Sequence, residues 1–270
     1  MAIVSSSDFV FSKESAIWEV NSHWTGMVYG PAAAILQIAH PKVAHGVARH
    51  SNFKSDALGR LTRTLADVNS IAFGTRAEAE ETKKRLFAMH SKVRGTSDSG
   101  VNYHALDQDL LIWVLATLVM ASVEGYELVY GPIDLERKEQ FLAEMVLLGQ
   151  FFGIREEGDD RLSSWGNYER YFEEMISGDL LGSDPVCGEL ARNLVSLQDS
   201  LGVRTLSALT AFIPVETLPP EMLGPLTLKS TALSRAKMRW FSRVFPFVFR
   251  RLPGKWKYYE RTRRRQFEDA

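Results

Sequence analysis

Four side chains that could bind or polarise a ligand lie in the segment 59–95. They are Arg60, Arg63, Thr64 and His90. Arg60 and Thr64 are four residues apart and therefore share one face of a predicted helix, with Arg63 beside them. Guanidinium and hydroxyl groups can donate hydrogen bonds to an acceptor, and a neutral imidazole can ligate a metal.

His90 is predicted to lie on a second helix that starts at Thr75 and stops at Gly95. Thr75 is a suitable N-cap, and Glu78 three residues later completes a capping box, while Gly95 supplies a stop. His90 is expected to point inward, because it belongs to a stripe that is otherwise apolar except for one arginine. That stripe contains Leu86, Phe87, His90, Val93 and Arg94.

The same residues also have structural interpretations. A single histidine on an apolar helical face is most often a core residue satisfied by a carbonyl group. Arginines beside an acid, such as Arg63 and Asp67 at the i, i+4 spacing, are typical of a solvated face and stabilise a helix by only ~0.3–0.5 kcal/mol. Residue types alone leave both interpretations open.

The composition favours one intracellular globular protein. The chain has 270 residues, of which 45% are hydrophobic, enough to bury a substantial core. A formal charge of −1 argues against a general nucleic-acid-binding protein. Cys187 is the only cysteine, and the N-terminal segment lacks a signal-peptide pattern, so we expect a reducing, cytoplasmic location.

Hydrophobic periodicity predicts an all-α fold with a single helical domain. No segment alternates as a strand would, and capping and proline signals divide the chain into helices. The apolar run Leu110–Val123 is too short to span a bilayer and suits a buried core helix, with Trp113 and Thr117 on its inner face. The predicted organisation is an arm over 1–13, the domain over 14–228 and a basic tail over 229–270.

Three histidines lie within eleven residues but lack the spacing of a metal site. His40 precedes Pro41 at a predicted helix end. His45 and His50 are five residues apart, which separates them by about 140° around a helix. We therefore do not predict a metal site made only of histidines. Paired Glu-x-x-His motifs are also lacking, which argues against a di-iron bundle.

The tail combines basic and aromatic residues. From Lys229 to Arg265 it carries about a dozen net positive charges between tryptophans and phenylalanines. Such a segment can lie on an anionic membrane surface, or it can pack its aromatic side chains on the domain. We favour packing, and peripheral membrane contact is the alternative.

Several short motifs together resemble one family. They are AHP (39–41), VARHSNF (47–53), GRLTRT (59–64), MHSKVRG (89–95) and LLIWVLAT (110–117). The pattern resembles the haem-dependent oxygenase superfamily that contains latex-clearing protein and the MpaB-type oxygenases, from about Trp18 to about Leu218. The resemblance implies a helical domain with a buried pocket for haem b.

The resemblance also implies roles for individual residues. His90 would be the proximal iron ligand, Arg60, Arg63 and Thr64 would lie on the distal helix, and Arg94 would bind a haem propionate. Trp113 and Thr117 would line an apolar cofactor and substrate pocket.

Two positions depart from the family pattern. Where latex-clearing proteins can have an iron-coordinating lysine, this chain has Arg63, whose protonated guanidinium has no lone pair to offer. A carboxylate base has no match before Arg60, which leaves His40 or His45 as the available titratable group.

The resemblance predicts an oxidoreductase that uses dioxygen on a small apolar substrate, for example an isoprenoid or alkene, with C=C cleavage as one reaction type. The alternative is a helical protein that binds haem or an apolar ligand without turnover. No nucleic-acid partner is expected.

Overall fold

Helices account for most of the molecule. The computed structural model describes residues 8–50, 53–97, 99–155, 159–197 and 212–267, without the side chains of 53–62 and 197. Within these residues there are twelve α-helices and one two-stranded sheet, which confirms the all-α class. The helices are α1 Ala16–Asn21, α2 Gly30–Ala39, α3 Pro41–His50, α4 Phe53–Phe73, α5 Arg76–His90, α6 Gln108–Tyr130, α7 Leu135–Phe152, α8 Trp165–Ser177, α9 Pro185–Leu197, α10 Ile213–Glu216, α11 Ala232–Arg251 and α12 Glu260–Phe267.

Capping side chains begin the helices around the site. The Thr75 hydroxyl accepts a hydrogen bond from the Glu78 amide at 3.3 Å, and the Glu78 carboxylate accepts one from the Thr75 amide at 2.7 Å, so the predicted capping box is confirmed. The Asp107 carboxylate caps α6 by accepting a hydrogen bond from the Asp109 amide. Helix α2 ends before Pro41, as predicted from the proline.

Helix α6 is the central helix and is surrounded by packing partners. It contacts α2, α7, α11 and the 3-10 turn Trp24–Met27. A Cβ atom at Gly125 would lie 2.6 Å from the Thr25 carbonyl oxygen and 2.7 Å from the Gly26 Cα, so only glycine permits this approach. By length and composition α6 is the one described helix that could cross a membrane. Its apolar composition is also what a core helix needs.

A short hairpin follows α5 and corrects two predictions. Strands β1 (Arg94–Thr96) and β2 (Asn102–His104) pair antiparallel, although no strand was predicted. Helix α5 ends at His90, five residues before Gly95. A Cβ atom at Gly95 would lie 2.7 Å from the Tyr103 hydroxyl, so this glycine permits a close approach within the hairpin and is not the helix stop.

The tail forms two helices with contacts to the domain. Phe249 of α11 is almost fully buried, and its ring lies 4.7 Å from that of Trp24. Arg265 of α12 donates a hydrogen bond to the Phe11 carbonyl at 2.8 Å. In α9, Cys187 is fully buried, and burial raises the pKa of its thiol to about 11. The sequence also predicts a helix over 203–212, and this segment falls almost entirely outside the described residues.

Candidate active site

His90 is the last residue of α5 and continues that helix's buried stripe. Ala79, Thr82 and Leu86 are buried, and steps of three, four and four residues lead from Ala79 to His90. The His90 side chain is half-buried, with Nδ1 inside the protein. The predicted inward stripe was wrong for Phe87, which is 58% exposed.

Arg94 does not lie one helical turn beyond His90. Because α5 has already ended, Arg94 begins β1, where it pairs with His104 and has an exposed side chain. Its distance from His90 is therefore set by the turn and the hairpin.

The register of α4 against α5 places Arg63 and Thr64 near the level of His90. The Thr82 hydroxyl donates to the Ser70 hydroxyl at 3.1 Å, and Arg85 pairs with Asp67 at 2.5 Å. From the first contact to the second, the residue number falls by three in α4 and rises by three in α5, as it does in antiparallel helices. The same register places Thr64 level with Ala88 and Arg63 level with Met89, whereas position 60 lies beyond the last residue of α5.

Two of these α4 side chains face solvent. Arg63 and Thr64 are exposed, whereas the side chain of Arg60 lies outside the described residues. The side chains of Arg63 and Thr64 are therefore open to solvent on α4.

A cleft of about 270 Å³ with aromatic walls lies along the side of α5 that carries His90. Phe87 is three residues before His90, so the two side chains project on neighbouring lines of the helix. The Lys83 ammonium lies 5.5 Å from the centre of the Phe151 ring. The lining residues are Glu80, Lys83, Lys84, Phe87, Phe151, Phe152 and Gly153.

A second, more polar cleft of about 420 Å³ lies on the other side of α5. Small-molecule sites are typically about 300–1,000 Å³, so the second cleft is within that range and the first is smaller. The lining residues are His50, Arg85, Ala88, Met89, Lys92 and Val93.

His50 is a residue that the sequence interpretation considered only as a metal ligand. It ends α3, and its Nε2 lies 3.1 Å from the Tyr103 hydroxyl, so it enters the second cleft with a hydrogen-bonded ring. The motif VARHSNF, which contains His50, was the signal in the sequence that could have identified this residue. The contact between His50 and Tyr103 depends on the hairpin, which was not predicted.

His40 lies at the junction of α2 and α3 and acts as a cap. Its Nδ1 accepts a hydrogen bond from the Lys42 amide at 3.2 Å, in the manner of an N-cap side chain. Burial, followed by the charge of Lys42, lowers the pKa of His40 to about 4. With Nδ1 engaged, the proton of the neutral ring is on Nε2, so His40 could accept another proton only by giving up this cap.

His45 also has a described partner. Its Nε2 lies 2.9 Å from a carboxylate oxygen of Asp184. This contact links α3 to the residue just before α9.

Trp113 and Thr117 lie in the core and line neither of the two clefts. Both are fully buried. The Trp113 indole donates to the Leu36 carbonyl at 3.0 Å, and the Thr117 hydroxyl accepts from Gln37 at 2.9 Å. The structure therefore groups them with α2 and away from the exposed end of α5.

The residues around His90 suit a cofactor in which most metal ligands belong to the cofactor itself. Among the residues the structure describes, no three His, Cys, Asp or Glu side chains are grouped to hold a metal ion. A porphyrin supplies four nitrogens to its iron and needs only one axial side chain from the protein. The half-buried imidazole of His90 fits that requirement, and Phe87 three residues earlier lines the apolar cleft, although His90 itself is not among the lining residues.

Residues 18–247 match the model of the family described as ER-bound oxygenase mpaB/B'/Rubber oxygenase, catalytic domain. The chain belongs to this family and therefore contains an oxygenase-type catalytic domain.

Two mycobacterial proteins are similar to it. Uncharacterized protein Rv2237 of Mycobacterium tuberculosis and uncharacterized protein Mb2261 of Mycobacterium bovis are each 25% identical over 240 residues, which cover 84% of this chain and 90% of theirs. No solved structure matches the chain.

Proposed function

We propose that this protein is a haem b-dependent oxygenase that uses dioxygen to oxidise a small apolar substrate of the isoprenoid or alkene type, with C=C cleavage as one reaction type. Membership of the oxygenase family supports oxygen chemistry. The observation that carries the haem assignment is the half-buried imidazole of His90 at the end of α5, three residues after Phe87, which lines an apolar cleft.

Each residue of the site has a defined part in this proposal. Haem, when bound, would supply the iron at which dioxygen is activated, and His90 would hold that iron. Arg60 and Thr64 carry donors for an acceptor within the site, and Arg94 has the charge to bind a carboxylate. Arg63 stays protonated and supplies charge without acting as a ligand.

The apolar cleft supports the class of substrate. Phe87, Phe151 and Phe152 offer ring surfaces to a hydrocarbon and exclude water from it. Trp113 and Thr117 would form part of the wall behind the site only if the core opens. If a base is required, the proposal retains His40, whose cap to Lys42 would have to break first.

The test is an absorbance spectrum of the purified protein after addition of hemin, before and after reduction with dithionite. We expect a Soret band that shifts on reduction and is lost or altered in His90→Ala. His104→Ala is the matched control, because His104 is also half-buried and lies in the adjacent hairpin. No Soret band in the wild type, or an unchanged band in His90→Ala, would contradict the assignment.

A second measurement separates catalysis from simple binding. The haem-loaded protein would be incubated with farnesyl-type and other alkene substrates while dioxygen consumption and carbonyl products are followed. Stoichiometric haem with no substrate-dependent dioxygen uptake across the panel would favour the alternative function, a helical protein that binds haem or an apolar ligand without turnover.

A further inference from the structure

Helix α11 has two different faces. Its inner face packs on the domain through a line of phenylalanines spaced four residues apart, in which Phe241 stacks on Phe245 at 4.9 Å and Phe245 lies 5.5 Å from Phe249. Its outer face carries large apolar side chains that remain in solvent. Trp240 is 65% exposed and Phe247 is 58% exposed.

The exposed apolar residues form a stripe along the helix. Leu233, Trp240 and Phe247 are seven residues apart, which places them within about 20° of one another per step. Over the described residues, five of the eleven large exposed apolar side chains lie between 233 and 256, so this surface is where they concentrate. The five are Leu233, Trp240, Phe247, Val248 and Trp256.

The chain around this stripe is strongly basic. Helix α11 contains six arginines and lysines and no acidic residue. Arg239 and Arg243 lie on one side of the stripe by helical geometry, whereas the Arg250 guanidinium donates a hydrogen bond to the Val129 carbonyl. Arg251 stacks on the Phe247 ring with its guanidinium carbon 3.5 Å from the ring centre, so charge and aromatic surface are presented together.

The turn that follows α11 extends the surface. Trp256 is 62% exposed, yet its carbonyl accepts a hydrogen bond from the Trp24 indole at 2.7 Å. The backbone is thereby fixed to the domain while the indole ring of Trp256 points into solvent.

We propose that the outer face of α11 and the turn at Trp256 form a docking surface for an anionic lipid bilayer. A bilayer surface takes up tryptophan and phenylalanine at the level of its headgroups while anionic headgroups bind arginine and lysine. Basic residues near such a surface each contribute on the order of 1 kcal/mol. The roughly 30 Å length of α11 allows the whole stripe to lie in the membrane plane.

This surface is separate from the site at His90. The inference does not depend on haem, since it is carried by exposure and charge on α11. The variants that test it should change lipid binding and leave the Soret band of the haem-loaded protein unchanged.

The experiment is co-sedimentation of the full-length protein with vesicles of phosphatidylcholine, alone or mixed with phosphatidylglycerol. We expect binding only to the mixed vesicles, with a loss of affinity as salt screens the charges. Trp240→Ser with Phe247→Ser should weaken binding about tenfold or more. Leu135→Ser with Leu180→Ser is the matched apolar control, because both leucines are also exposed.

Charge is tested with a second pair of variants. Arg239→Glu with Arg243→Glu should reduce binding at least about tenfold. Arg76→Glu with Arg170→Glu changes the net charge equally at exposed positions on α5 and α8 and should bind as the wild type does. Circular dichroism would confirm folding, since the residues changed are exposed.

Three outcomes would overturn the proposal. These are absence of binding to anionic vesicles at low salt, equal losses in the test and control pairs, and α11-dependent retention on DNA or on an acidic protein without vesicle binding.

Discussion

Helices α5 and α6 are neighbours in sequence but differ sharply in what surrounds their side chains. In α6, Trp113 and Thr117 are fully buried and hydrogen-bonded to α2. At the end of α5, His90 is half-buried, and Phe87 and Met89 are about half exposed. The comparison teaches that α6 maintains the fold, while the end of α5 has the access to solvent that a ligand needs.

The largest expected effect lies in α6. Trp113→Ala should reduce the free energy of unfolding by about 3–5 kcal/mol, because it removes a large side chain from a packed core and leaves a cavity. Urea denaturation followed by circular dichroism measures this loss. Phe87→Ala is the control on α5 and should change stability by less than about 1 kcal/mol, because that ring is mostly in solvent. Similar losses in both variants would remove the distinction between the helices.

The junction before α3 should make stability depend on pH. Because burial lowers the pKa of His40 to about 4 from 6.5, the unfolded chain binds a proton more readily than the native protein between these values. The contribution of neutral His40 to the free energy of unfolding is therefore fully present above about pH 6.5. It is lost as the pH decreases toward 4, which lowers the stability by on the order of 2–3 kcal/mol.

His40→Asn tests that pH dependence and the role of His40 together. An asparagine side chain can accept the Lys42 amide proton and does not titrate, so the variant should be folded and less sensitive to acid. Some sensitivity will remain, because burial also lowers the pKa of His23 to about 4. Thermal unfolding from pH 4 to pH 8 provides the measurement. Oxygenase activity lost in a folded His40→Asn protein would instead indicate a catalytic base.

The smallest effect is expected at the start of α5. Thr75→Ala removes the side-chain half of a capping box and should cost about 1 kcal/mol. Hydrogen exchange should quicken for amides in the first turn of α5. Thr231→Ala makes the same change in the capping box of α11 and should affect only that helix. Identical exchange patterns in the two variants would contradict this local effect.

Local signals in the sequence predicted the helices better than they predicted the site. Thr75 and Pro41 act on residues within one helical turn, so their patterns were sufficient to place helix boundaries. The hairpin after His90 was not predicted, because its strands have only three residues each and depend on pairing across a turn.

The site required knowledge of packing between elements. A helical pattern placed Arg60 and Thr64 on one face, but the contacts Ser70–Thr82 and Asp67–Arg85 were needed to show that Thr64 lies near the level of His90. Tryptophan and threonine occur both in pocket walls and in cores. Only the burial of Trp113 and Thr117 against α2 shows that they belong to the core.

The single buried cysteine can report when α9 separates from the core. Cys187 has no exposed surface, and the raised pKa of its thiol leaves little thiolate to react at neutral pH. Labelling by a maleimide should therefore proceed only as fast as α9 separates from the core. The rate of maleimide labelling of the wild-type chain accordingly measures the rate of this opening. A cysteine introduced at an exposed position could also be labelled selectively without removing Cys187.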